Sequence, residues 1–226
     1  MSTFSDSSAG GVGRRRFLTG VAATGGAAAL GLLGTSTARA THQSGLPPIG
    51  AEIPCSMLAI NVPLKIRTAL MSVDFKGGIK HRVDVNPDDP ENSVRLRTVG
   101  FRMTAEMPDI GDGARQDGGT ITLEQDDVDV DPQSLLRLTQ RFPLRYEHVS
   151  VLTFTMTIDQ PDTYARIYEP LVLTTKDPAQ LVGKLTQFPP RGDLYKLQNP
   201  VELVLPEDPD TTIVTIQRFP VKVGGL

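Results

Sequence analysis

Apolar side chains in this chain recur every second residue and almost nowhere every third or fourth. Ser93 to Glu106 is the clearest stretch: Val94 and Leu96 fall on even positions, then Phe101, Met103 and Ala105 on odd ones. A strand sends alternate side chains to opposite faces, so period two marks a half-buried sheet, whereas a helix needs a period of 3.6. The change of phase at Thr98-Val99-Gly100 requires one extra residue, and Gly100 permits a β-bulge there. His148 to Asp159 reads the same way, with Val149 and Val151 followed by Leu152, Phe154, Met156 and Ile158. Its Thr153, Thr155 and Thr157 form the β-branched polar row of a solvated face.

Further strands are expected over Leu64–Val73, Gly78–Val85, Thr120–Gln125, Leu171–Thr174, Val201–Leu205 and Thr212–Phe219. One short helix is predicted from Asp177-Pro178, which suits a first turn, through Val182 to a stop at Gly183. So many short strands with at most one short helix predict an all-β fold, a single β-sandwich-like domain of antiparallel strands over residues 57–226. Residues 41–56, with Pro47-Pro48 and Pro54, read as a linker or extended arm. A faint repeat runs through the domain. Asp131-Pro132 leads to Gln140-Arg141-Phe142-Pro143, Asp177-Pro178 to Gln187-Phe188-Pro189, and Asp208-Pro209 to Gln217-Arg218-Phe219-Pro220. Its physical unit is an Asp-Pro turn, a strand and a Phe-Pro exit where proline ends the ladder.

Residues 1–40 have a different character. A polar start ends in Arg14-Arg15-Arg16-Phe17-Leu18, a weakly apolar Ala/Gly stretch runs from Val21 to Gly34, and Ala38-Arg39-Ala40 closes the segment as a small-x-small site. The arginine block resembles the twin-arginine signature of export signals. That resemblance covers the signal alone; it implies the twin-arginine (Tat) export machinery as a partner and cleavage before Thr41. An extracytoplasmic, secreted product is expected. The apolar stretch is shorter than the ~20 residues a membrane span needs, and no later segment is apolar enough for a span. Cys55 comes too late to carry a lipid.

Removing 1–40 takes away four arginines and Asp6, which leaves 19 basic and 25 acidic side chains and a net charge of −6. A chain of that sign has no overall attraction for phosphate backbones, which argues against nucleic acid as a partner. Cys55 is the sole cysteine, so no disulfide closes within the chain. It reads as a half-buried small apolar residue, with a thiol-linked dimer as the alternative.

Catalytic motifs are scarce. There is no Gly-x-Ser-x-Gly elbow, and beyond His42 only His81 and His148 are available, not at metal-ligand spacing. His81 shares parity with Ile79, Val83 and Val85, as a satisfied core or edge histidine would. Asp127, Asp129 and Asp131 alternate onto one strand face beside Glu124 and Asp126. Such a row is either a solvated acidic edge that discourages sheet pairing or a calcium site, since Ca²⁺ takes six to eight oxygens. Asp109-Ile110-Gly111-Asp112-Gly113, followed by Asp117-Gly118-Gly119, reads as a flexible Gly/Asp loop, able to carry a site or simply to be a surface loop. Lys65 with Arg67, Lys80 with Arg82 and Arg95 with Arg97 make a cationic stripe for anionic groups if their strands are neighbours, or ordinary solvent-face charge. Tyr164 and Tyr168 are the best-placed pair for stacking on a soluble glycan. These features favour a non-catalytic exported protein that binds a ligand or a cell-surface partner. The alternative is a secreted hydrolase using paired carboxylates, which a cleft with one desolvated carboxylate would favour.

Overall fold

The computed structural model describes residues 45–108, 118–126, 134–159 and 169–225. These form thirteen strands joined in one antiparallel sheet, with no helix among the described residues. The sandwich-like all-β domain expected from the alternation is what the chain adopts.

Three long strands organise it: β1 (Glu52–Ile66), β2 (Ala69–Val85) and β3 (Ser93–Glu106). β1 pairs with β2 and β2 with β3, and β1 and β3 each carry a local irregularity. In β1 the register shifts between Ala59 and Val62, with Asn61 at a φ of 55° and its N–H donating to Asp74 at 2.7 Å. Asn tolerates that left-handed conformation because its short side chain bonds locally. In β3 the register against β2 shifts so that Lys80 faces Gly100 while His81 faces Thr98. Val99 is the extra residue, and the phase change anticipated at Thr98-Val99-Gly100 is therefore a β-bulge. Gly77, on β2, lies so close to β3 that a Cβ there would stand 2.0 Å from the Arg102 carbonyl oxygen.

The bends let the two ends of these strands serve two rings. β4 (Thr120–Gln125), β7 (Phe154–Asp159), β8 (Leu171–Thr175), β11 (Val201–Leu205) and β12 (Asp208–Ile216) run from the end of β3 round to Leu64–Ile66 of β1. This circuit is called ring two. β5 (Leu135–Arg141), β6 (Leu144–Leu152), β9 (Ala179–Leu185), β10 (Arg191–Leu197) and β13 (Val221–Gly225) run from Ser93–Arg95 of β3 round to Cys55–Ala59 of β1. They make ring one. The chain crosses between rings after β4, at Thr153, after β8, after β10 and after β12. Pairing of β12 with β1 and of β3 with β5 joins both margins of the sheet back to itself.

Both interiors are filled by alternate residues. Leu64, Phe75, Leu96, Met103, Ile121, Met156 and Leu203 are fully buried, and each such side chain contributes about 1.5–3 kcal/mol through the area it takes from water. The Phe-Pro exits fall where expected, after β5, β9 and β12, but their surroundings differ. Phe142 is 92% exposed on the β5–β6 hairpin, Phe188 is half-buried, and Phe219 belongs to the core.

Several local expectations are corrected. The arm read over 41–56 gives way at Glu52, where β1 begins. The helix expected from Asp177 is strand β9, whose burial alternates through Ala179, Leu181, Gly183 and Leu185. Most consequential, the chain from Tyr146 to Ile158 has no change of phase. Tyr146, His148, Ser150, Leu152, Phe154, Met156 and Ile158 are all buried, and Val149 and Val151 lie on the other face.

Candidate functional site

That unbroken parity turns His148 and Ser150 into ring one. His81 faces inward from β2, as its parity with Ile79 and Val83 predicted, although Val85 is exposed. Cys55 comes from β1 and Tyr195 from β10. Met57, Ile79, Leu181 and Val223 supply apolar wall, and Phe188 and Pro190, in and beside the β9–β10 connection, complete the lining. Ring one therefore encloses a cysteine, two histidines, a serine and a tyrosine within an otherwise apolar cavity.

Gly183 determines how these groups meet. It pairs with His148 on one side and with Tyr195 on the other, so the three form a row across β6, β9 and β10. A Cβ on Gly183 would stand 2.7–2.8 Å from the Tyr195 ring. Without one, the phenol lies across β9 and its hydroxyl comes 2.9 Å from His148 Nδ1. Gly183, expected to stop a helix, instead makes room for an aromatic ring. The His81 and His148 rings stand edge to face with centroids 5.2 Å apart, and Phe188 meets His148 at 6.1 Å in the same manner. His81 Nδ1 lies 3.5 Å from Thr98 Oγ1.

Burial sets the charge of the site. It lowers the His81 pKa to about 4. It also holds His148 well below the usual range, with the neighbouring His81 imidazole adding to the effect. The Cys55 thiol is pushed up to about 11 by burial. The Tyr195 phenol is raised by burial first and by Cys55 and Asp193 after it. At neutral pH every one of these groups is uncharged. His81 is a weak base and Cys55 a poor nucleophile there, because nucleophilic sulfur requires the thiolate. The cluster is equipped for neutral hydrogen bonding. Two of its atoms, His148 Nε2 and Ser150 Oγ, are buried with no hydrogen-bond partner.

The residues singled out from sequence are placed as follows. Asp127, Asp129 and Asp131 lie outside the described residues, as do Asp109–Asp117, Tyr164 and Tyr168. Of their neighbours, Glu124 faces Arg102 at 3.8 Å and Asp126 accepts from Thr174 Oγ1 at 3.2 Å. Among the described residues no three His, Cys, Asp or Glu groups are gathered to hold a metal. Arg82 and Arg97 do stand opposite each other, but Asp84 meets both, at 3.9 and 3.2 Å, while Arg95 turns to Asp88 and Lys80 to Glu52. Over Lys80, Arg82, Arg95 and Arg97 the stripe is a set of ion pairs with Glu52, Asp84 and Asp88. Cys55 is 2% exposed and within the core rather than in a lead-in. No described helix is long and apolar enough to cross a membrane.

The cluster at ring one was missed because inward polar residues look like a solvent face. The signal that finds it is the seven-residue parity from Tyr146 to Ile158, provided that His148 and Ser150 are accepted as interior.

No known protein family matches the chain, and no curated protein matches it. Among solved structures, DynF from the dynemicin biosynthesis pathway of Micromonospora chersina is similar in fold, with a TM-score of 0.54 and 16% sequence identity. The likeness covers 79% of this chain and 82% of that one.

Proposed function

We propose that this is an exported, non-catalytic binding protein that holds a small, largely apolar molecule inside ring one. One observation carries the reading: His148 Nε2 and Ser150 Oγ are buried without partners on the wall of an apolar cavity. An unsatisfied buried polar group costs about 1–3 kcal/mol. Natural structures seldom retain two together unless something answers them. A bound molecule with a hydrogen-bonding group does so. A secreted hydrolase with paired carboxylates finds less support, because no carboxylate is buried among the described residues.

Export rests on Arg14-Arg15-Arg16-Phe17-Leu18 and on Ala38-Arg39-Ala40. A folded-state export route suits a domain that has a single cysteine and closes its core without disulfides.

The test is native mass spectrometry of the protein purified from its own host, beside a His148→Phe variant. The wild type is expected to carry a small organic adduct that is released on denaturation and is absent from the variant. The bare chain mass in both proteins, with no small organic molecule raising the melting temperature of either, would overturn the reading.

A further inference from the structure

A notch opens between β2 and β3 beside ring two. The ladder that joins these strands runs from Val85 opposite Val94 to Lys76 opposite Thr104 and stops there. Both strands continue, each with its other neighbour alone. β2 stays with β1 as far as Ala69 opposite Ile66, and β3 stays with β4 as far as Glu106 opposite Thr120. Continued register would set Asp74 directly against Glu106; instead a groove separates the two strands. Its volume is about 660 Å³, within the ~300–1,000 Å³ of small-molecule sites.

Period two decides which side chains face it. Ser72, Asp74 and Lys76 alternate on β2 with buried Val73 and Phe75, and Thr104 and Glu106 alternate on β3 with buried Met103 and Ala105. All five are exposed and line the groove. Thr120 of β4 adds a hydroxyl beside Glu106. Asn61, at the irregularity of β1, donates its N–H to Asp74 Oδ1 at 2.7 Å. Met107 and Pro108 supply apolar wall at the end of β3.

The charges of the groove differ from those around it. On the neighbouring surface Lys80, Arg82, Arg95, Arg97 and Arg102 each meet a carboxylate, whereas Asp74, Lys76 and Glu106 make no ion pair among the described residues. Two carboxylates against one ammonium leave the groove net negative, which disfavours uronates, phosphates and sulfates and favours an amine. The Asn61 amide and the hydroxyls of Ser72, Thr104 and Thr120 each donate and accept. Sugar hydroxyls do the same, and the apolar wall suits the C–H face of a sugar ring.

We propose that this notch binds an amino sugar, with the ligand's ammonium between Asp74 and Glu106 and its hydroxyls exchanging hydrogen bonds with Ser72, Thr104 and Thr120. No residue lines both this groove and the ring-one cavity, so the site stands or falls independently of the reading given for ring one.

The experiment is an NMR titration of the isotope-labelled protein at pH 6, where the amine is protonated, with a β-linked glucosamine disaccharide, cellobiose, digalacturonate and cadaverine. The glucosamine disaccharide is expected to bind about threefold to tenfold more tightly than cellobiose, the worth of two exposed charge contacts, and to shift the amides of Asp74, Thr104 and Glu106. Digalacturonate should be the weakest sugar, and added salt should erase the advantage of the amine. Glu106→Gln, at an exposed position, should fold normally and bring the glucosamine disaccharide close to cellobiose. Lys76→Gln keeps a donor and removes the one like charge, so it should tighten the glucosamine disaccharide, a gain that damage to the fold does not produce. Cellobiose binding as well as the glucosamine disaccharide overturns the role of the carboxylates, and cadaverine binding as well overturns the role of the hydroxyls. Unchanged affinity in both variants, amide shifts confined to ring one, or no binding by any of the four overturns the site.

Discussion

Acidification from pH 8 to pH 5 should destabilise this domain through its interior histidines. In the unfolded chain His81 titrates near 6.5, whereas in the folded chain burial lowers it to about 4. Between those values the unfolded state binds the proton and the folded state does not, so stability rises with pH across the window and falls as acid is added. The loss begins below the unfolded pKa and is complete once the pH has passed the folded one. At pH 5 the difference from His81 alone is about 2 kcal/mol, and below pH 4 it approaches about 3 kcal/mol, at ~1.4 kcal/mol per pKa unit. His148 is held down by the same burial and by His81, so it acts in the same direction. A domain of this size loses roughly 2–4 °C of melting temperature per kcal/mol, so the His81 contribution is a fall of about 4–8 °C. Glu52, whose pKa is lowered chiefly by its hydrogen bond to Lys80, acts below its unfolded value of about 4.3, outside this window. The assay is calorimetric melting at constant ionic strength from pH 8 to pH 5, with His42→Asn in the background. The comparison is His81→Phe, which keeps a ring in place and removes the titration. Equal wild-type melts at both ends, or a His81→Phe protein that keeps the full pH slope, would refute the reasoning.

Gly183→Ala should destabilise by about 1–3 kcal/mol, the usual cost of overpacking, because its Cβ meets the Tyr195 ring; Tyr195→Leu in the same chain should restore most of the loss in denaturant titrations. Cys55 should resist thiol reagents at pH 8 in the folded protein, being 2% exposed and pushed up to about 11; labelling should follow the unfolding rate, and rapid labelling of native protein would contradict its placement. Arg14→Lys with Arg15→Lys should stop export, and N-terminal sequencing of the exported wild type should begin at Thr41; continued export of the double variant would remove the signal reading.

Much of the framework was legible because period two is a local property. β4 and β11 were read to the residue, and the bulge at Val99 announced itself as a slip in an otherwise regular alternation. The site was not legible, for reasons that its residues make concrete. Val149 and Val151 are apolar and face outward, while His148 and Ser150 are polar and face inward, so a rule equating apolar with interior assigns both faces of β6 wrongly. Gly183 satisfies two opposite requirements, a helix stop and a strand position that must carry no side chain. Only Tyr195, on a different strand, decides between them. Pairing of β12 with β1 and of β5 with β3 joins segments far apart in the chain, and nothing in either local sequence encodes the partner.

That long-range pairing dictates when the protein can fold. Cys55 of β1 stands opposite Gly225 of β13, and β13 sits between β1 and β10 as an inner member of ring one. During synthesis the early strands must therefore wait, with a gap where β13 belongs, until nearly the whole described chain has left the ribosome. A hairpin-first pathway builds β1, β2 and β3 cheaply, but closing each circuit draws on strands that appear much later, a topology that folds in milliseconds to seconds rather than microseconds. For that interval the inner face of ring one and the flank of β1 stay open to solvent and to other chains. Nascent copies are thus most vulnerable to mispairing just before Val221–Gly225 emerge, and a chain truncated at Phe219 would hold every strand of ring two and still be unable to close ring one.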